Sequence, residues 1–331
     1  MRIGEIDVVP IAAESIGVRS LCTKVSTPDI TIMLDPSAAL AMRGGLEPHP
    51  QEYRALMKSL ERIFVEARNS DILSVSHYHY DHVRPGFTDF RYNLSSREEL
   101  QRIFEDKLVF AKDNREHVNA SQRKRGFYFE RDTKGVVEEI RWSDGKAYSF
   151  GETNVLHSHP LPHGPVDTSL GYVIATTIEH SDTRILFAPD VQGPLVKDTL
   201  EYMLSQNSDV AIVGGPPMYL NRFRKSQKQS ALSSLKLLAS RVSLLIVDHH
   251  LMRSDNWEAW LYPVMAEASK TGNELKTMAE IAGVEVSCLE AKRKELYSMH
   301  PPGAEFMNWV KATDEYKSGN LPPMDRPDTT D

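Results

Sequence analysis

Three histidines and one aspartate lie within six residues of the first third of the chain, in the run His77-Tyr78-His79-Tyr80-Asp81-His82. The run follows Ile72-Leu73-Ser74-Val75-Ser76, an apolar stretch that predicts a buried strand. Imidazole and carboxylate groups are common ligands of divalent metal ions, and a turning backbone aims the first two histidines at one point. Asp81 and His82 then face a second point close by. The pattern therefore predicts a fold that carries two metal ions where a strand ends, an arrangement typical of hydrolytic sites.

The composition sets limits on the class of protein. The chain has 331 residues, 40% of them hydrophobic, which suffices for one large α/β domain or two modest ones. The formal net charge of -7 does not indicate nucleic-acid binding by the surface as a whole, although a local basic groove is compatible with it. Residues 1–17 lack the apolar core of a signal peptide, and no apolar stretch approaches the roughly 20 residues of a membrane span. Cys22 and Cys288 stand far apart, which favours buried free thiols in a reducing compartment. We therefore expect a cytoplasmic protein without a membrane partner.

Hydrophobic periodicity predicts short strands early in the chain, an alternation of strands and helices later, and mainly helices after about residue 255. Strands are expected at 6–11, 21–25, 30–34, 71–76, 169–178, 184–188, 210–213 and 244–247, and helices at 50–69, 95–107, 194–205 and 226–242. The segment 83–150 is otherwise less regular. Because no internal repeat or low-complexity linker divides the chain, we expect one domain over residues 1–320, with a helical extension from about 255. The Pro- and Asp-rich end, residues 321–331, is expected to be loose.

Two metal ions need more donors than one short run supplies, and later segments offer them. His163 lies in a loop framed by proline and glycine, just before the strand expected at 169–178. His157 and His159 alternate upstream of it as structural or ligand-orienting residues, and His159 is also a weaker ligand candidate. Asp190 ends the next apolar strand, where it could cap a helix or bridge two cations. We expect His163 to bind metal and Asp190 to bridge.

A further segment, Asp248-His249-His250, follows the buried run Leu244-Leu245-Ile246-Val247. Because adjacent strand residues point to opposite faces, one histidine of the pair is expected to bind metal, with a slight preference for His249 over His250. The other histidine and Asp248 would orient that ligand. The remaining histidines lie in polar surroundings and are interpreted as surface or loop residues; they are His49, His117, His180 and His300.

The order of these residues, from residue 1 to about 255, resembles the metallo-β-lactamase-fold superfamily. The phrase from Ser76 to Gly86 is most similar to an archaeal branch described as predicted metal-dependent hydrolases. The resemblance implies an α/β fold, a four-layer αβ/βα sandwich of two mixed sheets with helices outside, with helical additions at the C-terminus. The site would lie at one edge of the sandwich, with Asp35 as a structural carboxylate beside it. The implied ligands are His77, His79 and His163 for one ion, Asp81, His82 and His249 or His250 for the other, and Asp190 between them.

Such a site would use a metal-activated hydroxide to attack a carbonyl or phosphoryl centre, with Asp81 and Asp190 as catalytic carboxylates. A set of nitrogen and oxygen donors without cysteine favours zinc and is compatible with manganese or iron. Arginine suits phosphate or carboxylate recognition. Four residues near the expected strand ends are therefore candidates for substrate binding, namely Arg84, Tyr219, Asn221 and Arg222.

A purely structural interpretation of this region is also open. Gly214-Gly215-Pro216-Pro217 would then be a rigid turn, and the arginines after it would lie in a solvated loop. The basic run Arg123-Lys124-Arg125 is likewise interpreted as a solvated face rather than a binding patch. The leading hypothesis is a dinuclear hydrolase of a small phosphoester. A nuclease of the same fold, and so a nucleic-acid partner, is less favoured; a lactone or thioester hydrolase is a third option, and a non-catalytic metal-binding scaffold is least favoured. The sequence leaves the oligomeric state open.

Overall fold

The computed structural model describes residues 1–166 and 168–324, and within them the chain alternates strands with helices. The strands are β1 Arg2–Ile3, β2 Ile6–Ala13, β3 Leu21–Ser26, β4 Thr31–Leu34, β5 Ile72–Val75, β6 Leu108–Ala111, β7 Glu139–Trp142, β8 Ala147–Phe150, β9 Thr153–His157, β10 Leu161–Pro162, β11 Tyr172–Val173, β12 Thr176–His180, β13 Thr183–Ala188, β14 Val210–Gly214, β15 Leu244–Asp248 and β16 Glu274–Lys276. The helices are α1 Pro50–Arg68, α2 Arg97–Phe104, α3 Ala120–Thr133, α4 Lys197–Ser205, α5 Lys225–Ala239, α6 Trp257–Lys270, α7 Met278–Ala282, α8 Leu289–Met299, α9 Ala304–Lys311 and α10 Asp314–Gly319. Two 3₁₀ turns cover Glu14–Ile16 and His249–Arg253.

Two mixed sheets form the centre of the molecule. One has the strand order β1-β2-β3-β4-β5-β6-β7, and the other has the order β16-β15-β14-β13-β12-β9-β8. In the first sheet the strands from β4 onward run parallel, and in the second the strands from β13 to β16 do so. A small pair, β10 with β11, lies outside both.

The sheets pack face to face because their strands carry apolar side chains on both sides. In β13, Ile185 and Phe187 belong to the core between the sheets, whereas Leu186 and Ala188 face the outer helices. Such two-sided burial is expected where helices cover the outer face of a parallel sheet. Helices α1, α2 and α9 cover the first sheet, and α5 and α6 cover the second. The predicted four-layer αβ/βα sandwich is confirmed.

The sandwich brings the carboxyl ends of β4, β5, β13 and β15 to one edge. Ligand sites in α/β proteins favour that end of parallel strands. Asp35 directly follows β4, His77 comes soon after β5, Asp190 comes soon after β13, and His249 directly follows β15. The topology therefore collects the candidate ligands in one place, although they are spread over most of the chain.

Two of the helices after residue 255, α8 and α9, pack against the N-terminal helix α1. Arg293 of α8 forms a buried ion pair with Glu52 of α1, with 2.7 Å between Arg293 Nη2 and Glu52 Oε1. Trp309 of α9 lies edge-on to Tyr53 of α1, with ring centroids 5.4 Å apart. The helical additions at the C-terminus are confirmed, and the single domain over residues 1–320 stays a prediction. Residues 325–331 of the predicted loose tail lie outside the described residues.

Several local predictions were wrong. The strand expected at 169–178 is split, because β11 pairs with β10 whereas Ile174 leaves the ladder and donates from its backbone to the Ser76 carbonyl. The segment 83–150 contains β6, β7, β8 and α3, which its sequence did not indicate. His49 and His180 are buried, since His49 caps α1 and the ring of His180 lies against Thr153. Within 1–166 and 168–324, no helix combines the length and apolarity needed to cross a membrane.

Candidate metal centre

The carboxylate of Asp190 lies at the centre of a ring of histidines. Its Oδ2 is 2.8 Å from His163 Nε2, 3.1 Å from His77 Nε2 and 3.3 Å from His82 Nε2. Its Oδ1 is 2.9 Å from His249 Nε2. One carboxylate thus faces these four histidines, three of them through Oδ2 and His249 through Oδ1.

The donor atoms form overlapping groups whose members place one donor atom each within 4.8 Å of one another. One group is His77, His79, His163 and Asp190, and a second is Asp81, His82 and His249. Asp190 belongs to the first of these and also groups with His249 and His250. In the second group His82 Nε2 is 3.2 Å from His249 Nε2, and Asp81 Oδ2 is 3.7 Å from His249 Nε2. The structure therefore brings the metal-ligand candidates together at one edge of the sheets, and the division of these residues between two ions stays a prediction.

Asp35 fixes the orientation of two of these histidines. Its Oδ2 accepts a hydrogen bond from His82 Nδ1 at 2.7 Å and another from the Ser76 hydroxyl at 2.7 Å. The Ser76 hydroxyl in turn lies 3.0 Å from His77 Nδ1. Because the Nδ1 atoms are engaged in this way, the Nε2 atoms are left to face the centre. This is the structural carboxylate that the resemblance implies.

Glu14 holds the remaining strand-end histidine in the same manner, and the sequence did not reveal it. His249 Nδ1 lies 2.8 Å from Glu14 Oε2, while Arg253 donates to Glu14 Oε1. The same guanidinium reaches Asp81 Oδ2 at 3.3 Å and the Tyr219 hydroxyl at 3.2 Å. Asp248, which we expected to orient a ring, instead accepts backbone N–H groups, including that of His249.

Strained backbone marks the strand ends that carry the site. Asp35, Asp190 and His249 have φ values of 50°, 30° and 66°, in the left-handed region that residues with a Cβ seldom adopt. Gly214 and Gly215 allow these turns to approach one another. A Cβ on Gly214 would lie 2.7 Å from the Asp190 backbone nitrogen, and one on Gly215 would lie 2.6 Å from Leu251 Cβ.

The buried charges perturb one another strongly. Burial alone would raise the pKa of Asp190, but the surrounding histidines outweigh it and hold that pKa well below its usual range. Burial lowers the pKa of His77 and of His79. Burial would also lower the pKa of His249, but Glu14 and Asp190 raise it to about 9. Without metal, these shifts favour an ionised carboxylate at Asp190, neutral imidazoles at His77 and His79, and a positively charged imidazolium at His249.

The polar atoms at the centre fit metal ions better than they fit one another. His77 Nε2, His163 Nε2 and both carboxylate oxygens of Asp190 are buried without a hydrogen-bond partner among the described residues. Unpaired buried polar atoms are costly, so a cluster of them aimed at one point needs a further partner. Imidazole nitrogens and a carboxylate are suitable donors for zinc, manganese or iron.

Relatives of the chain are found among archaeal proteins. A UPF0282 protein of Methanopyrus kandleri is 40% identical over 294 residues, which are 87% of this chain and 98% of the relative. The chain belongs to the UPF0282 family. A UPF0282 protein of Pyrococcus abyssi is 35% identical over 319 residues, 96% of this chain and 99% of the relative. The expected kinship with an archaeal branch is confirmed, and no family model matches the sequence.

Among solved structures, the metallo-β-lactamase fold protein YhfI of Bacillus subtilis is similar with a TM-score of 0.46 and 13% identity. The match covers 82% of this UPF0282 chain and 94% of YhfI.

Both histidines of the tandem pair approach Asp190 in this UPF0282 protein. His250 Nδ1 is 3.6 Å from Asp190 Oδ1 and has no hydrogen-bond partner among the described residues. Only His249, however, also groups with Asp81 and His82. Neither of the earlier candidates joins the centre: His157 packs against Phe110 and His159 is exposed.

The four residues expected to bind substrate take different positions. Arg84 is 1% exposed, and it donates to the carbonyls of Asn93 and Leu94 and to Glu99, so its predicted contact with substrate does not fit the structure. Tyr219 is half-buried and joined to the centre through Arg253. Asn221 and Arg222 are exposed, within the loop between β14 and α5.

Proposed function

We propose that this UPF0282 protein is a dinuclear metal-dependent hydrolase of phosphoesters. The observation that carries the proposal is the position of Asp190, whose carboxylate lies within 3.3 Å of imidazole nitrogens from both proposed groups of ligands. A carboxylate between two cations is a natural bridge, and two bridged cations suit the hydrolysis of phosphate esters.

The proposed ligands follow the two groups of donor atoms. His77, His79 and His163 would hold one ion, Asp81, His82 and His249 the other, and Asp190 would contact both. When bound, the ions would supply Lewis acidity and would lower the pKa of a coordinated water towards neutrality. Zinc is the first choice for this donor set, with manganese or iron as alternatives.

The protein's own groups prepare this chemistry. Burial would raise the pKa of Asp81, but His82, His249 and Arg253 outweigh it, so the carboxylate is ionised at neutral pH. The side chain of Asp81 is 16% exposed, and only its Oδ2 receives the hydrogen bond from Arg253. Its Oδ1 is therefore in a position to accept a hydrogen bond from water and to orient it.

Cationic groups near the centre support an anionic substrate. The guanidinium of Arg43 lies 4.4 Å above the Tyr219 ring, and the Tyr219 hydroxyl accepts from Arg253. Because that oxygen already accepts one hydrogen bond, its own hydrogen can be donated to a substrate oxygen. A hydroxyl donor beside two guanidinium groups suits the oxygens of a phosphoester better than a neutral lactone.

The test is a hydrolysis panel with a bis-aryl phosphodiester, a lactone, a thioester and RNA, run on metal-loaded wild-type protein beside Asp190→Asn. We expect turnover of the phosphodiester by the wild type and loss of that turnover in the variant. Glu66→Gln serves as the control, because Glu66 pairs with Lys24 on α1 and β3, outside the cluster. Lactone or thioester turnover without phosphodiester turnover would replace the proposed substrate class.

A further inference from the structure

Helix α3 lies beside two segments that carry proposed ligands, the loop of His163 and the run from His77 to His82. At its start, Gln122 is buried and bonds the backbone of Tyr172, in the strand that follows the His163 loop. Further along, Gly126 lies so close to Tyr78 that a Cβ there would come within 2.9 Å of the Tyr78 ring. The basic run in this helix is therefore held beside the metal motif, a position that its sequence alone did not indicate.

The outer face of α3 combines basic with aromatic side chains. Phe127 and Tyr128 are 57% and 37% exposed, and their ring centroids lie 5.7 Å apart. Lys124 and Arg131 lie 5.9 and 4.7 Å from the Tyr128 ring centroid. Positive side chains interleaved with exposed rings are the features that bind the phosphates and bases of single-stranded nucleic acid.

This face opens into a cavity of about 430 Å³ that reaches the metal motif. One wall of the cavity is Tyr80, which stands in the sequence between His79 and Asp81. The Arg125 guanidinium covers the Tyr80 ring at 4.3 Å, and Phe87 contacts the same ring edge-on. The cavity is thus walled by a residue of the metal motif, adjacent in sequence to His79 and Asp81.

The charge of the cavity is positive although the whole chain is acidic. Lys124, Arg125 and Arg131 line it, and the acidic residue in its wall is Asp132. The Asp132 carboxylate is buried and paired with Arg131 and Arg97. Asp132 thus offsets the charge of Arg131, and the excess positive charge that faces the cavity comes from Lys124 and Arg125.

We infer that the α3 face and the adjoining cavity bind single-stranded nucleic acid, with bases stacked on Phe127 and Tyr128 and phosphates held by Lys124, Arg125 and Arg131. The inference rests on the proposed phosphoester hydrolysis and names the class of phosphoester. It also revises the interpretation of the basic run as a merely solvated face. Duplex nucleic acid fits less well, because its bases are already stacked and cannot lie on the exposed rings.

The experiment measures fluorescence anisotropy of a labelled 12-residue oligothymidylate, and of an abasic 12-mer with the same phosphates. Binding is measured on metal-loaded protein in the cold, and again after chelation so that no cleavage can interfere. The variants are Lys124→Glu and Tyr128→Ala. Their matched controls are Lys270→Glu and Tyr262→Ala, an exposed lysine and an exposed tyrosine on α6.

We expect the abasic strand to bind at least tenfold more weakly than oligothymidylate, and Tyr128→Ala to raise the oligothymidylate Kd about tenfold. Lys124→Glu should raise the Kd and reduce the slope of log Kd against log salt by about one. The controls should bind as the wild type does. Equal binding of the abasic strand and oligothymidylate, or variants that bind like their controls, would overturn the inference.

The hydrolysis of a bis-aryl phosphodiester by the wild type is measured separately. The nucleic-acid-binding surface and the phosphoester hydrolysis are thereby tested independently. Oligothymidylate binding without any phosphodiester turnover supports the nucleic-acid surface and removes the proposed chemistry. Phosphodiester turnover without oligothymidylate binding overturns the inference and leaves the proposed function standing.

Discussion

His249 Nδ1 lies 2.8 Å from Glu14 Oε2, which joins two residues 235 positions apart in the chain. The carboxylate fixes the ring so that its Nε2 faces Asp190, and the same carboxylate also accepts from Arg253. A residue that never contacts an ion in the proposed arrangement therefore determines where one of the ligands points.

Glu14→Gln tests this orienting role. The amide keeps the size of the side chain but removes the charge that stabilises the ring, so the affinity for the second ion should fall about 10- to 100-fold while the first ion is retained. Competition with a chromogenic chelator measures both affinities. Glu66→Gln is the matched control, and equal affinities in Glu14→Gln and Glu66→Gln would contradict the role.

Metal binding should release protons. Burial would lower the pKa of His82, but Asp190 and Asp35 raise it well above the usual value, and the pKa of His249 is raised to about 9. Both shifts favour the imidazolium form at pH 7 in the metal-free protein, so metal loading should release protons. Titration in a weak buffer with a pH indicator measures the number, and no release would contradict the assignment of these ligands.

The raised pKa of His249 also predicts how the stability of the metal-free protein changes with pH. A raised folded-state pKa means that His249 stabilises the metal-free protein fully below its unfolded value of about 6.5, and that this contribution is lost as pH rises through about 9. We expect the denaturant midpoint of metal-free protein to fall between pH 6.5 and 9. The midpoint of metal-loaded protein should not fall over that range, because the ion replaces the proton.

Two arginines that the sequence offered for substrate binding should behave differently. Arg84→Met leaves buried carbonyl acceptors without donors, so the free energy of unfolding should fall by about 2–3 kcal/mol, with an unchanged KM for the residual folded enzyme. Arg222→Met replaces an exposed side chain, so its free energy of unfolding should stay within about 0.5 kcal/mol of the wild-type value. Denaturant unfolding and steady-state kinetics of both variants check this. A raised KM with full stability in Arg84→Met would restore its predicted role.

The sequence was informative where residues of metal-binding types stand at the ends of predicted strands. The run from His77 to His82, together with Asp35 and Asp190 at strand ends, carried the family resemblance that implied the fold. It also predicted that the donors lie together, because strand ends in such a sheet meet at one edge. Glu14 could not be found in this way, since its partner is distant in the chain and a single glutamate carries no local pattern.

Helix α3 escaped prediction for a physical reason. The residues that it buries include Gln122, Gly126, Asp132 and Thr133, so the apolar period that identifies an amphipathic helix is missing. Its contacts are polar or depend on the lack of a side chain, as at Gly126. The same cause hid the position of its basic run beside the metal motif.

Asp190 lies between two metal ions in the proposed arrangement, and the metal content of the purified protein decides whether it does. Elemental analysis of protein prepared without chelators should find two divalent transition-metal ions per chain in the wild type. In Asp190→Asn it should find fewer, with phosphodiester turnover reduced about a thousandfold because several kcal/mol of charge stabilisation are lost. Wild-type protein that binds no transition metal, or an Asp190→Asn variant with two ions and full turnover, would contradict the account.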